Sequence, residues 1–137
     1  MFTIGRPAVT PSMRRLALSL PLLPVLVACG SNEIVSSLAS PSSQYHVEVR
    51  RCQQNGAWFG TQKLQVSVLP QGVSEPCQSA VHALAQFDGF ADVDALQLEW
   101  LSDTELRAWQ PGFDPAYGPS RATYQAGKPV TLTFRPK

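Results

Sequence analysis

The chain has 137 residues, 44% of them hydrophobic and 15% charged, with 11 Lys+Arg against 10 Asp+Glu. That length sets a single folded domain. A formal charge of +1, without a basic patch or interleaved aromatic and basic residues, argues against a nucleic-acid binder.

The first recognisable unit is a secretory signal peptide. Met13-Arg14-Arg15 supplies a positive start, and "LALSLPLLPVLVA" over residues 16–28 follows with thirteen uncharged residues. As a helix those residues rise only about 20 Å, short of the roughly 30 Å hydrocarbon core, and Pro21 and Pro24 weaken a helical span further. Residues 1–28 are therefore expected to leave the mature protein. The natural start is Met13 or Met1, the latter with a long, proline-containing leader.

The end of this segment, Leu26-Val27-Ala28-Cys29, resembles the lipobox of bacterial lipoproteins. The resemblance implies cleavage before Cys29, acylation of its sulfur and new amino group, and attachment to a membrane through that lipid. Several acyl chains make a stable anchor where one is marginal. Gly30, in place of the aspartate that favours inner-membrane retention in such proteins, implies an outer-membrane position facing the periplasm.

With Arg6, Arg14 and Arg15 removed, the mature chain has eight Lys+Arg against ten Asp+Glu, a net −2. Residues 30–43, "GSNEIVSSLASPSS", hold six serines and a proline, so residues 29–43 are read as a lipidated flexible tether. Ile34, Val35 and Leu38 offer points at which it docks back. The globular domain is expected over residues 44–137.

"YHVEVRRC" alternates Tyr45, Val47 and Val49 with His46, Glu48 and Arg50, the period of a half-buried strand. Asn55-Gly56 marks a turn. "KLQVSVLP" returns with Leu64, Val66 and Val68 on one face. "SEPCQSAVHALAQFDG" then reads as one short helix, about 75–87, with Ser74 as cap and Gly89 beyond its end. Cys77, Ala80, Val81, Leu84 and Phe87 share its inner face. "ALQLEWL" and "TELRAW" form a hairpin around Ser102-Asp103, and "PVTLTFRPK" supplies a last strand. The fold class is α+β: a small antiparallel sheet of about five strands with that one helix. Residues 110–129 remain as a long loop with four prolines, a length that usually carries function or disorder.

Cys52 and Cys77 are the cysteines left after Cys29. In an exported chain they are expected to pair, with free buried thiols as the alternative. His46 and His82 do not supply the clustered spacing of a zinc site, and both fall on polar faces. Asp88, Asp92 and Asp94 lack the ligand ladder of a calcium loop and read as a solvated acidic turn. No metal or other cofactor is expected. "GxSxG", "HExxH" and P-loop motifs do not occur, so no catalytic residue is assigned and the chain is read as a non-enzyme.

The strands "SPSSQYHVEVRRCQQNGAWFGTQKLQVSVLP" and "LQLEWLSDTELRAW" resemble a group of small uncharacterised exported bacterial proteins. Their pattern opens on Pro-Asp-Gly where this chain has Pro41-Ser42-Ser43. The resemblance implies a β-rich domain and transfers no active site. Aromatics on polar loops then become the candidate partner contacts: Trp58, Phe59, Phe113 and Tyr117. The bland alternative is that they close the ends of a small β domain. The functional expectation is an accessory or structural envelope lipoprotein acting through protein contacts. The alternative is a periplasmic inhibitor or immunity lipoprotein that blocks an enzyme or toxin.

Overall fold

The structure is a computed structural model that describes residues 2–8, 32–53, 62–89, 92–125, 127 and 129–137. Eight strands follow one another: β1 (Asn32–Ala39), β2 (Tyr45–Gln53), β3 (Gln62–Pro70), β4 (Ala85–Gly89), β5 (Gln97–Ser102), β6 (Glu105–Trp109), β7 (Ala122–Tyr124) and β8 (Thr131–Phe134). They build a five-stranded sheet in the order β1-β2-β3-β4-β7 and a three-stranded sheet in the order β5-β6-β8. The domain is β-rich, and the described residues contain no helix. All pairings are antiparallel except β6–β8, which is parallel.

The alternation read in the sequence sets the register of the large sheet. Val47 lies opposite Val68 and Val49 opposite Val66, so their branched side chains share one face. Phe87 of β4 lies opposite Val66 and joins that face. From the small sheet come Leu106, Ala108 and Val130, all buried in the same core. Phe134 of β8 meets Phe87 edge-on at 5.2 Å between ring centroids, closing the contact between the sheets.

Three expectations are corrected. The helix over 75–87 does not form. Gln78 has φ 67°, outside the right-handed helical region, and Ala83, Ala85 and Phe87 are buried with period two. Side chains of the neighbouring strands satisfy backbone groups that a helix would pair internally. Gln65 Nε2 donates to the Pro76 carbonyl and Gln65 Oε1 accepts from the Gln78 N–H, while Gln86 Nε2 donates to the Ser79 carbonyl.

The tether over 29–43 is also shorter than its composition suggests. Residues 32–39 are β1, paired with β2 from Asn32 opposite Cys52 to Ala39 opposite His46, so the domain begins by Asn32. Backbone pairing along an existing edge forms a strand where the apolar residues Ile34, Val35, Leu38 and Ala39 do not alternate. Lastly, the single antiparallel sheet of about five strands becomes two sheets, one of them mixed. β7 adds to the large sheet from within the 110–129 loop, and β8 runs alongside β6.

Two edge devices accompany this arrangement. β1 carries a register shift between Ile34 and Ser36, and the Trp100 indole N–H donates to the Leu38 carbonyl at 3.0 Å. The β1–β2 turn places Ser43 at φ 60°, with its N–H bonded to the Ser40 carbonyl at 2.9 Å.

Cys52 and Cys77 form a disulfide with a Cα–Cα distance of 5.7 Å across 25 residues of sequence. Replacing both by alanine is expected to lower unfolding free energy by about 3 kcal/mol in urea titration, because the denatured chain regains loop entropy. Ser43→Gly is expected to raise stability by about 1 kcal/mol, measured the same way, because glycine adopts positive φ without a Cβ penalty.

Candidate functional site

The second face of the large sheet carries polar residues and is nevertheless covered. On β2 and β3, His46, Glu48, Gln65 and Ser67 are all buried. Residues 71–84 cross over them as a strap, drawn to the end of β2 by the disulfide. Glu48 is 3% exposed and accepts from Arg50 Nε at 2.7 Å and from Ser74 Oγ at 2.7 Å. Arg50 completes the network by donating to Ser74 Oγ at 2.6 Å. A buried carboxylate is tolerable only when paired and hydrogen-bonded, and these contacts supply both.

Glu75 is buried at 2% exposed, and its Oε1 accepts from the His82 backbone N–H. Glu75 Oε2 and His46 Nδ1 have no hydrogen-bond partner among the described residues. His46 is thus buried at 8% exposed, against the expected surface position, because the strap covers its face; His82 is exposed.

Where the strap, the ends of β3 and β4, and residues 112–123 meet, they outline an open cleft of about 1320 Å³. Gln62, Lys63, Gln86 and Asp88 contribute from the strands, and Ser120 and Arg121 from the loop. Lys63 Nζ and Asp88 Oδ1 form an ion pair at 3.3 Å. Asp114 faces the cleft, with its carboxylate turned to its own loop, accepting from the Ala116 N–H at 2.7 Å. That loop is tight: Gly118 N–H donates to the Asp114 carbonyl at 2.7 Å, with Gly118 at φ 74°. A Cβ at Gly118 would meet the Phe134 ring at 2.8 Å, so glycine lets the turn press against the aromatic core.

The lining is mixed: amides, an ion pair and hydroxyls stand beside Phe87, Phe113, Tyr117 and Pro119, a combination suited to an amphipathic segment of another molecule. Among the described residues, no histidine or cysteine lines it and no group of three or more His, Cys, Asp and Glu is placed to hold a metal ion. Asp88 is engaged by Lys63, and Asp92 Oδ1 accepts from the Asp94 N–H at 3.1 Å.

The candidate contacts separate. Tyr117 is 85% exposed at the rim of the cleft. Phe113, expected on an exposed loop, is instead 3% exposed in the core, edge-on to Trp109 at 5.9 Å and to Phe134 at 5.9 Å. It fills the junction between the sheets and reaches solvent only at the floor of the cleft, which it helps to line. Cys29, Trp58 and Phe59 lie outside the described residues. The sequence reading missed the buried Glu48–Arg50–Ser74 network. Its one available signal was the Cys52–Cys77 pair itself, since a crosslink to the end of β2 pulls residues 71–76 across the polar face.

Tyr124, on the edge strand β7, has its phenol pushed above the ordinary 10.0 by burial, which disfavours the phenolate. A raised value in the folded state gives a stabilising contribution that is complete below pH 10 and lost as pH climbs through the raised value. Tyr124→Phe is expected to flatten that alkaline loss in thermal melts taken across the range.

Comparison of the chain with protein-family models, with curated proteins and with solved structures found no match to any of them.

Proposed function

We propose that the protein is a small lipid-anchored lipoprotein of the bacterial cell envelope, held through Cys29 and acting on the periplasmic side by protein contacts rather than by catalysis. The observation that carries this reading is the order Arg14-Arg15, thirteen uncharged residues, then Leu26-Val27-Ala28-Cys29. A disulfide between Cys52 and Cys77 supports it, since such bonds persist in exported, oxidising compartments. Gly30 favours the outer membrane as the site of attachment.

The partner-facing surface in this proposal is the cleft and the exposed Tyr117 beside it, together with Trp58 and Phe59 from the sequence. Exposed aromatics beside hydrogen-bonding groups are the usual anchors of protein interfaces. An accessory role places the contact under the control of the anchor, because confinement to one membrane raises the effective concentration of a partner in that membrane.

The deciding experiment is a crosslinking pull-down from whole envelopes with a C-terminal tag, comparing the natural chain with Cys29→Ala. The expected outcome is an envelope partner captured by the natural chain and lost from Cys29→Ala, with capture weakened several-fold by Tyr117→Ala. A single stoichiometric partner kept by both forms would replace the accessory role with an inhibitor or immunity role. Unchanged mass and membrane fractionation in Cys29→Ala would overturn the anchor.

A further inference from the structure

We infer that one end of the large sheet, the end marked by Asn32, Gln53 and Gln62, faces the phospholipid headgroups of the anchoring membrane. This rests on the proposed acylation of Cys29 and fixes the orientation that such an anchor imposes.

The strand register gathers the relevant chain positions. Asn32 pairs with Cys52, Gln53 with Gln62, and Leu64 with Gly89. The start of β1, the end of β2, the start of β3 and the end of β4 therefore share one end of the sheet. Asn32 is also clamped there. Arg50 Nη1 donates to its backbone carbonyl at 3.1 Å and to its Oδ1 at 2.9 Å, and the Cys77 N–H donates to the same Oδ1 at 3.0 Å. Only Gly30 and Ser31 separate this fixed residue from Cys29. Fully extended, the step from Cys29 to Asn32 spans at most about 11 Å. The nine residues of β2 cover roughly 30 Å in the other direction, away from the anchor. A serine-rich tether of fifteen residues would let the domain tumble clear of the bilayer; this one does not.

The chemistry of that end suits a zwitterionic surface. Its cations are matched by carboxylates: Arg51 with Glu33 at 3.7 Å, Lys63 with Asp88 at 3.3 Å and Arg50 with Glu48 at 2.7 Å. Among the described residues of that end no excess positive charge calls for anionic lipid, and the exposed amides of Gln53 and Gln62 can hydrogen-bond phosphate and ester oxygens.

The test uses full-length lipidated protein in phosphatidylcholine vesicles that carry a nitroxide on a fraction of the headgroups. Gln62→Cys and Gln71→Cys each add one exposed thiol for a fluorophore, at the near and far ends of the sheet. Flotation with the vesicles is read first, then quenching. The expected result is flotation of both variants with several-fold stronger quenching at position 62 than at 71. Inserting about twenty Gly/Ser residues after Ser31 should abolish that difference and leave flotation intact. Flotation with equal quenching at both positions overturns the orientation and leaves the anchor standing. Failure to float overturns the anchor and the orientation together.

Discussion

Both faces of the β2–β3 ladder have to be covered, and the rest of the structure follows from how this is done. One face is apolar, with Val47, Val49, Leu64, Val66 and Val68, and it is buried against the second sheet. The other carries Glu48, Gln65 and Ser67 and is buried under a strap with no regular secondary structure. Hydrophobic burial suffices for the first face. The second needs partners for its polar groups: Ser74 bonds Glu48 and Pro76 and Gln78 bond Gln65 from the strap, while Gln86 of β4 bonds Ser67. The disulfide supports this by fixing the middle of the strap, at Cys77, to the end of β2. Hydrogen bonds made at such a crossing gain from the preorganisation, because the chain entropy of bringing Cys77 to β2 is lost once, before they form.

The second sheet depends on the first through a small aromatic junction. Phe87, Phe113 and Phe134 meet edge-on, one from β4, one from the loop and one from β8. Val130 and Phe134 bring the chain end back beside β6, where parallel pairing sets Leu106 opposite Leu132. Arg107, on the outer side of β6, is 5% exposed and donates to Glu99 and to the Arg135 carbonyl, tying down the C-terminal residues. The loop over 110–129 is thereby divided. Its first part belongs to the core, Asp114 to Gly118 forms a tight turn, and Ala122–Tyr124 extends the large sheet. Tyr117 stands fully out to solvent at the rim of the cleft.

Under the proposed acylation of Cys29, the clamped first strand turns the lipid into an orienting constraint. The cleft then reaches toward the membrane-facing end of the sheet through Gln62 and Lys63. A partner engaging that cleft in this proposal approaches close to the headgroup layer. Its affinity then depends on confinement to the same membrane as well as on the contacts themselves.

The sequence by itself determined the strands whose side chains alternate: β2, β3, β5, β6 and β8 each read correctly, because a half-buried strand must show period two. The pairing of Cys52 with Cys77 was expected from the sequence, with free thiols as the alternative, and the structure forms it. Tertiary structure alone decided the remainder. β1 lacks the alternation that announces a strand and forms because β2 offers an open edge. Residues 75–87 carry a pattern compatible with a helix, yet Gln65, Ser67 and Gln86 on the sheet accept them as a strap and a strand. Glu48 looked like a solvent-facing residue because alternation reports only which face a side chain takes. Whether that face meets water is fixed by a segment more than twenty residues away, and no local pattern encodes it.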